Sequence, residues 1–265
     1  MNLEKLTKKV SAIASEAETF IRGEAKKFSA EDIQEKSLNN FVTYVDKKTE
    51  EQLVDKLSAL LPGCGFIAEE SPALSQAEFT WVIDPLDGTT NFIHGVPVYS
   101  VSIGLLQGQE LLSGVILEIN HSECFYTWKS APAFLNGTRI RVSQANSVQD
   151  SLLATGFPYF DYGKLDDYLD LFRYLMQNSR GVRRLGSAAA DMAYVACGRF
   201  DGFYEYGLSP WDVSAGALLV ENAGGRVSDF GGGKDYLFGR EMIATNGMIS
   251  DEFLKLFKNW KRSTH

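Results

Sequence analysis

Three features predict a fold that starts as α+β and passes into α/β. The N-terminal residues carry apolar positions at helical spacing, a run of short apolar strands fills the middle, and strands then alternate with helices to the end.

Leu3, Leu6, Val10, Ile13, Ala17 and Phe20 fall three and four apart. That spacing predicts a helix over residues 3–22, with one buried stripe covering a sheet. Residues 24–40 are polar without a sustained period and read as a flexible loop, in which Lys36 and Ser37 face solvent or belong to a lid. Phe41 to Val45 reads as a short strand. Asp46 to Leu60 reads as a helix with Thr49, Leu53, Leu57 and Leu60 on one side. Asp46 opens it, where an acid caps free N–H groups. Leu61-Pro62-Gly63 stops it, and Gly65 to Ala68 forms a brief strand running into Glu69-Glu70-Ser71.

Phe79 to Ile83 is the next strand, ended by Asp84-Pro85, with Asp87-Gly88 marking a turn. Val98 to Leu106 and Leu111 to Ile119 read as antiparallel partners. Cys124 to Trp128 and Arg139 to Val142 extend the meander around Asn136-Gly137, a strong hairpin signal. From about Ser143 the pattern changes. Leu152 to Gly156 is a strand and turn, and Leu165, Tyr168, Leu169, Phe172, Leu175 and Met176 form one apolar helical face. A strand at Val182 to Leu185, a helix at Ser187 to Cys197 and a strand at Asp201 to Tyr206 follow. A helix at Asp212 to Asn222 is closed by Gly224-Gly225. Met242 to Thr245 is a last strand before a helix at Asp251 to Trp260. The chain thus divides into an α+β part, residues 1–142, and an α/β part, residues 143–265.

Composition narrows the function. Apolar residues are 45% of 265, the share of a globular protein with a sizeable core. Net charge is −8, from 34 acids against 26 bases, which argues against a nucleic-acid partner. The nearest thing to a basic patch, Arg180, Arg183 and Arg184, reads as solvated or ion-paired charge. Cys64, Cys124 and Cys197 lie far apart, which argues against a disulfide framework and fits a reducing cytosol. His94, His121 and His265 show no zinc-protease spacing. No run approaches the ~18 apolar residues of a membrane span, and the start lacks a signal-peptide core. A cytoplasmic protein without a membrane partner is expected.

The candidate chemistry lies in Trp81-Val-Ile-Asp84-Pro85-Leu86-Asp87-Gly88-Thr89-Thr90-Asn91-Phe92. Two acids three residues apart leave the end of a strand. Alone, they form either an Asp-capped turn or a place to hold divalent cations against a phosphate. Asp46, Glu69, Asp84, Asp87 and Asp212 each follow a strand or open a helix. Gathered in space they would make an oxygen-only cage, which selects Mg²⁺, Ca²⁺ or Mn²⁺ over zinc. Two cations ~3.5–4 Å apart clamp the attacking and leaving oxygens of a phosphoryl transfer. Asp84 is the expected bridge, with Asp87 serving the second ion. N–H groups of Gly88, Thr89 and Thr90 at a helix start would hold phosphate oxygens. If Asp46 accepts the Thr89 hydroxyl proton, the pair orients an attacking water. No Walker A sequence, dinucleotide fingerprint or G-x-S-x-G elbow occurs, so kinase, dehydrogenase and serine-hydrolase readings lose support.

Ala68-Glu69-Glu70-Ser71, the Asp84 to Phe92 stretch, Leu185-Gly186-Ser187-Ala188-Ala189 and Trp211-Asp212 with Ala217 and Gly224-Gly225 together resemble the inositol monophosphatase family. The resemblance implies a layered αβαβα sandwich of the sugar-phosphatase type, Mg²⁺ dependence with two or three ions per site, lithium sensitivity and a homodimer. It implies that Glu69, Asp84 and the Leu86 carbonyl hold one Mg²⁺, that Asp84, Asp87 and Asp212 hold a second, and that Glu69 helps hold a third. Thr89 and Asp46 match the water-activating pair, and Gly88 and Thr89 match phosphate contacts. Gly186, Ser187 and Ala188 match a helix start near the substrate ring, and Glu205 matches an acid that contacts inositol hydroxyls. Ala68 stands where the family commonly has Gly, and Asn39-Asn40-Phe41 and Lys129 to Phe134 depart from its loops. The expected activity is hydrolysis of myo-inositol 1-phosphate or another small phosphorylated polyol. Related phosphatases acting on fructose 1,6-bisphosphate, NADP⁺, histidinol phosphate or adenosine bisphosphates are the alternatives. A regulatory binding module is the reading from another class, since some bacterial relatives serve in transcription complexes.

Overall fold

Two β-sheets share one central layer of helices. The computed structural model describes residues 1–28, 33–37, 40–71, 77–158 and 162–262. The chain opens with α1 (Leu3–Ala25), an antiparallel pair β1 (Ile33–Ser37) and β2 (Asn40–Thr43), and α2 (Tyr44–Leu60). A seven-stranded sheet follows in the order β3 (Gly65–Ala68), β4 (Phe79–Asp87), β5 (Ser100–Gln107), β6 (Glu110–Glu118), β7 (Glu123–Trp128), β8 (Phe134–Leu135) and β9 (Thr138–Arg139). Its first pair is parallel and the rest antiparallel. The short α3 (Thr89–His94) leaves the end of β4. A five-stranded sheet has the spatial order β11 (Gly181–Arg183), β10 (Leu152–Thr155), β12 (Gly202–Tyr206), β14 (Glu241–Thr245) and β13 (Arg226–Ser228). The remaining helices are α4 (Leu165–Asn178), α5 (Ala188–Ala196), α6 (Pro210–Asn222) and α7 (Ser250–Arg262).

Three apolar clusters set the layers. α1 and α2 cover the outer face of the larger sheet, with Leu6, Val10, Ala14, Ala17 and Ile21 as the α1 stripe. α5 and α6 fill the space between the sheets. Tyr168, Leu171 and Leu175 of α4 and Phe253 and Phe257 of α7 cover the far face of the smaller sheet. The result is an αβαβα sandwich. Helices on both faces explain why β5 and β6 are buried almost end to end rather than alternately. Each such Leu, Ile or Val side chain contributes roughly 1.5–3 kcal/mol.

The inner helix lies close to the sheet. Gly104 of β5 and Gly114 of β6 face each other in the ladder. A Cβ on Gly104 would stand 2.4 Å from Ser214 Oγ, and one on Gly114 2.8 Å from the Ala215 carbonyl oxygen. Glycine at both positions lets α6 descend onto the strands. That seats Asp212, in the first turn of α6, over the end of β4.

Several boundaries differ from the sequence expectation. α1 runs on to Ala25, and β1 lies inside the predicted 24–40 loop. Its backbone pairs with β2, which hydrophobic period does not reveal. Residues 29–32 and 38–39 of that loop lie outside the described residues. Tyr44 and Val45 are helical, not strand, because Thr43 caps α2 and Asp46 takes the third helical position. The strand predicted to end at Ile83 continues through Pro85 to Asp87. The predicted strand at 139–142 is only Thr138–Arg139, and β11 stops at Arg183. β13 was not expected; three residues suffice because β14 supplies the ladder. On α4, Leu169 and Met176 are exposed, and Leu171 takes the inward position.

Candidate active site

An irregularity in β4 builds the site. Asp84 pairs with Ser102 and Asp87 with Ser100, so three steps on β4 oppose two on β5. The extra residue is a β-bulge. In a regular strand, positions three apart point to opposite faces. The bulge returns both acids to one side, and it accommodates Pro85, which has no N–H for a ladder. Asp212 arrives from α6, and oxygens of Asp84, Asp87 and Asp212 all lie within 4.8 Å of one another.

Three helix starts hold Asp212, Asp87 and the neighbouring Asp46. Asp212 Oδ2 accepts from Ser209 N at 2.6 Å as α6 begins. Asp87 Oδ2 accepts from Ser187 Oγ at 2.6 Å and Ala189 N at 2.7 Å as α5 begins. Asp46 Oδ2 accepts from Thr43 N at 2.8 Å as α2 begins. The positive ends of the helix dipoles thus meet the acids. The attraction does not cancel their repulsion. Burial first, then Glu69, Asp87 and Asp212, push Asp84 well above the usual carboxylate range. Burial, then Asp87, pushes Asp212 up to about 7. Burial also raises Asp87, against the bonds from Ser187 and α5. Packed acids of this kind are what a divalent cation relieves. The donor set is all oxygen, so the residues fit a hard cation such as Mg²⁺.

Beside this cluster Thr89 Oγ1 lies 2.9 Å from Asp46 Oδ1 and 3.1 Å from the Leu86 carbonyl oxygen. The hydroxyl has one proton to give. The carboxylate, nearer and acidic, is the stronger acceptor. Gly88, at φ +96°, turns the chain from β4 into α3, and Thr90 is exposed one residue into that helix.

A cavity of about 140 Å³ opens next to the cluster, lined in part by Glu69, Asp87, Gly186, Ser187, Ala188, Glu205 and Asp212. Glu205 is buried on β12, and burial holds its carboxyl well above the ordinary range while Arg184 opposes the shift. Gly156 leaves room for it: a Cβ there would stand 2.1 Å from the Glu205 carboxylate. Of the residues singled out in the sequence, Asp84, Asp87 and Asp212 come together, Glu69 and Glu205 line the same cavity as Asp87 and Asp212, and Asp46 joins through Thr89. Asp84, Leu86, Gly88, Thr89 and Thr90 do not line that cavity.

Sequence reasoning missed four residues here. Asn91 Nδ2 donates to Val98 O and Leu185 O, both at 2.7 Å, and so ties α3 to the loop before Gly186. Arg184 and Arg240 line the cavity, and Arg240 adopts a left-handed backbone at φ +62°. Asp191 lines it from α5, and an acid inside an otherwise apolar helix was the available signal.

Comparison with known proteins identifies the family and the fold. The sequence model of the inositol monophosphatase family matches residues 2–262. The chain is 42% identical over 225 residues to an inositol-1-monophosphatase of Mesorhizobium japonicum, covering 84% of this chain and 85% of that protein. It is 44% identical over 220 residues to the Nus factor SuhB of Pseudomonas aeruginosa, covering 81% of each. Its fold superposes on the inositol monophosphatase structure from Anabaena (Nostoc) with TM-score 0.86 and 35% identity, covering 98% of this chain and 97% of that one.

Proposed function

The chain belongs to the inositol monophosphatase family, and from that premise we propose that it is a Mg²⁺-dependent phosphomonoesterase acting on myo-inositol 1-phosphate. The observation that carries the proposal is the convergence of Asp84, Asp87 and Asp212 beside the Thr89–Asp46 pair. Asp84, Asp87, Asp212, Glu69 and the Leu86 carbonyl are the groups that would hold two or three Mg²⁺. When bound, Mg²⁺ acidifies water, polarises the phosphoryl group and neutralises the leaving alkoxide.

The chain's own residues supply the rest. Thr89 gives its proton to Asp46, so its lone pairs accept an O–H of the attacking water and orient it. Asp46, anchored by Thr43, keeps Thr89 in that role. The start of α3 at Gly88 and Thr89 takes the phosphate oxygens. Gly186, Ser187 and Ala188 border the alcohol side, and Glu205 accepts from its hydroxyls. Lithium inhibition, a homodimer and a cytoplasmic location belong to the same reading.

A second reading has one observation behind it, the similarity to a protein named a Nus factor. A regulatory protein-binding role would not require the acid set, which is complete here, and catalysis is therefore favoured. The test is phosphate release from a panel of phosphomonoesters with Mg²⁺, with and without Li⁺. The proposal predicts fastest release from myo-inositol 1-phosphate and inhibition by Li⁺. Release that is independent of Mg²⁺, or from no phosphomonoester, contradicts it.

A further inference from the structure

α5 is an apolar helix with one acid in it. All of Ala188–Ala196 is buried, and Asp191 is its single charged residue. Asp191 is 1% exposed and borders the cavity, and among the described residues its Oδ1 has no hydrogen-bond partner. An unpaired buried oxygen costs the full desolvation of that atom, so each one calls for an explanation. Capping does not supply it: Ser187 caps α5, its Oγ accepting from Ala190 N at 3.2 Å. Nor does the acid cluster, since Asp191 is outside the group formed by Asp84, Asp87 and Asp212.

We propose that Asp191 is a specificity-determining residue that works with Glu205, the two side chains taking neighbouring hydroxyls of a compact polyol on the alcohol side of the phosphomonoester. The proposal rests on the phosphomonoesterase reading above. The charged groups that act on Asp191 are Glu205 on β12, Asp87 on β4 and Arg184 after β11. Burial and the two acids push its carboxyl well above the usual range, and Arg184 opposes them. A protonated carboxyl offers one donor and one acceptor, and a hydroxyl matches both. A site built to bond a hydroxyl rejects analogues without it, because its own buried polar groups are then left unpaired.

The test compares kcat/KM for myo-inositol 1-phosphate with kcat/KM for p-nitrophenyl phosphate, a monoester with no alcohol hydroxyls. Wild type, Asp191→Ala and Asp191→Asn are measured at saturating Mg²⁺. In Asp191→Ala the ratio of the two constants falls about tenfold or more. In Asp191→Asn, which keeps a donor and an acceptor, it stays within about threefold of wild type. If Asp191→Ala does not fold, Asp191→Leu, which keeps the branching at Cγ and suits an apolar helix, is read by the same criterion. An unchanged ratio, including an equal loss on both substrates, overturns the proposal. A wild-type protein that hydrolyses neither substrate overturns the phosphatase reading instead, before any variant is compared, and this inference falls with it.

Discussion

The Thr89 hydroxyl donates to Asp46 Oδ1 at 2.9 Å, joining the first turn of α3 to the first turn of α2. Both partners are anchored independently, Asp46 by Thr43 and Thr89 by the turn at Gly88. Asp46 is buried, and its carboxyl sits above the ordinary range because burial outweighs its hydrogen bonds. On the proposed mechanism, removing the hydroxyl takes away the group that orients water and leaves the proposed metal ligands in place. Thr89→Val is expected to lower kcat by about 10²–10⁴ and to leave Mg²⁺ affinity little changed. Thr89→Ser, which keeps the oxygen, should recover most of the loss. Steady-state kinetics with calorimetric Mg²⁺ titration checks this, and equal losses in both variants would count against the assignment.

The approach of α6 to the Gly104–Gly114 pair sets where Asp212 stands. A methyl group at Gly104 meets Ser214 within 2.4 Å and forces the helix outward. Gly104→Ala should cost about 1–3 kcal/mol of stability, the usual range for overpacking. It should also weaken Mg²⁺ binding, because Asp212 moves with α6. Urea unfolding and metal titration read the two effects. Lost stability with unaltered metal affinity would show that α6 does not position Asp212.

Gly156→Ala tests the alcohol side alone. Its Cβ would overlap the Glu205 carboxylate, at 2.1 Å from all three of its atoms. The expected result is a raised KM for myo-inositol 1-phosphate with Mg²⁺ affinity retained. Equal KM values for variant and wild type would place Glu205 outside the substrate site.

How much of this was legible in the sequence depended on whether the cause was local. The Asn136-Gly137 turn was, since both residues take positive φ, +47° and +84°, and that chemistry lies in the two residues themselves. The helices α1, α5, α6 and α7 were legible from period and caps. The bulge in β4 was not, because Pro85 alone reads as a strand end and only pairing with β5 reveals the extra residue. β1 and β13 are likewise made by their partners. Leu169 and Met176 lie at helical spacing yet face outward, because Tyr168, Leu171 and Leu175 take the sheet-facing positions. Among the site residues, the acids stood out by type and motif. Asp191 was visible as an acid in an apolar run, but its meaning depends on Glu205, which the fold brings to the same cavity.

The acids predict a pH dependence with a definite sign. Asp84, Asp87 and Asp212 all have raised carboxyls, Asp212 at about 7. The folded protein therefore binds their protons more tightly than the unfolded chain does. Their contribution to stability is present below the unfolded value of ~3.9 and is lost as pH rises through the folded values. Mg²⁺ needs the deprotonated acids, so it stabilises most at high pH. At a concentration a hundredfold above Kd it should add about 2.7 kcal/mol. Melting curves at pH 5 and pH 8, with EDTA or Mg²⁺, should show the larger gain at pH 8. An equal gain at both would contradict the assignment of these carboxylates to metal.

Phosphate release from myo-inositol 1-phosphate as a function of Mg²⁺, in wild type and Asp87→Asn, tests the central claim most directly. The amide oxygen introduced by Asp87→Asn can still accept from Ser187 and α5, so the fold should persist while one metal ligand loses its charge. The expected result is Mg²⁺-dependent release by wild type and, at the same Mg²⁺, a loss of about 10² or more in the variant, since the cation that would stabilise the transition state is held less well. Turnover near wild type in a folded Asp87→Asn protein would contradict the claim that the Asp84, Asp87 and Asp212 cluster is the catalytic metal site.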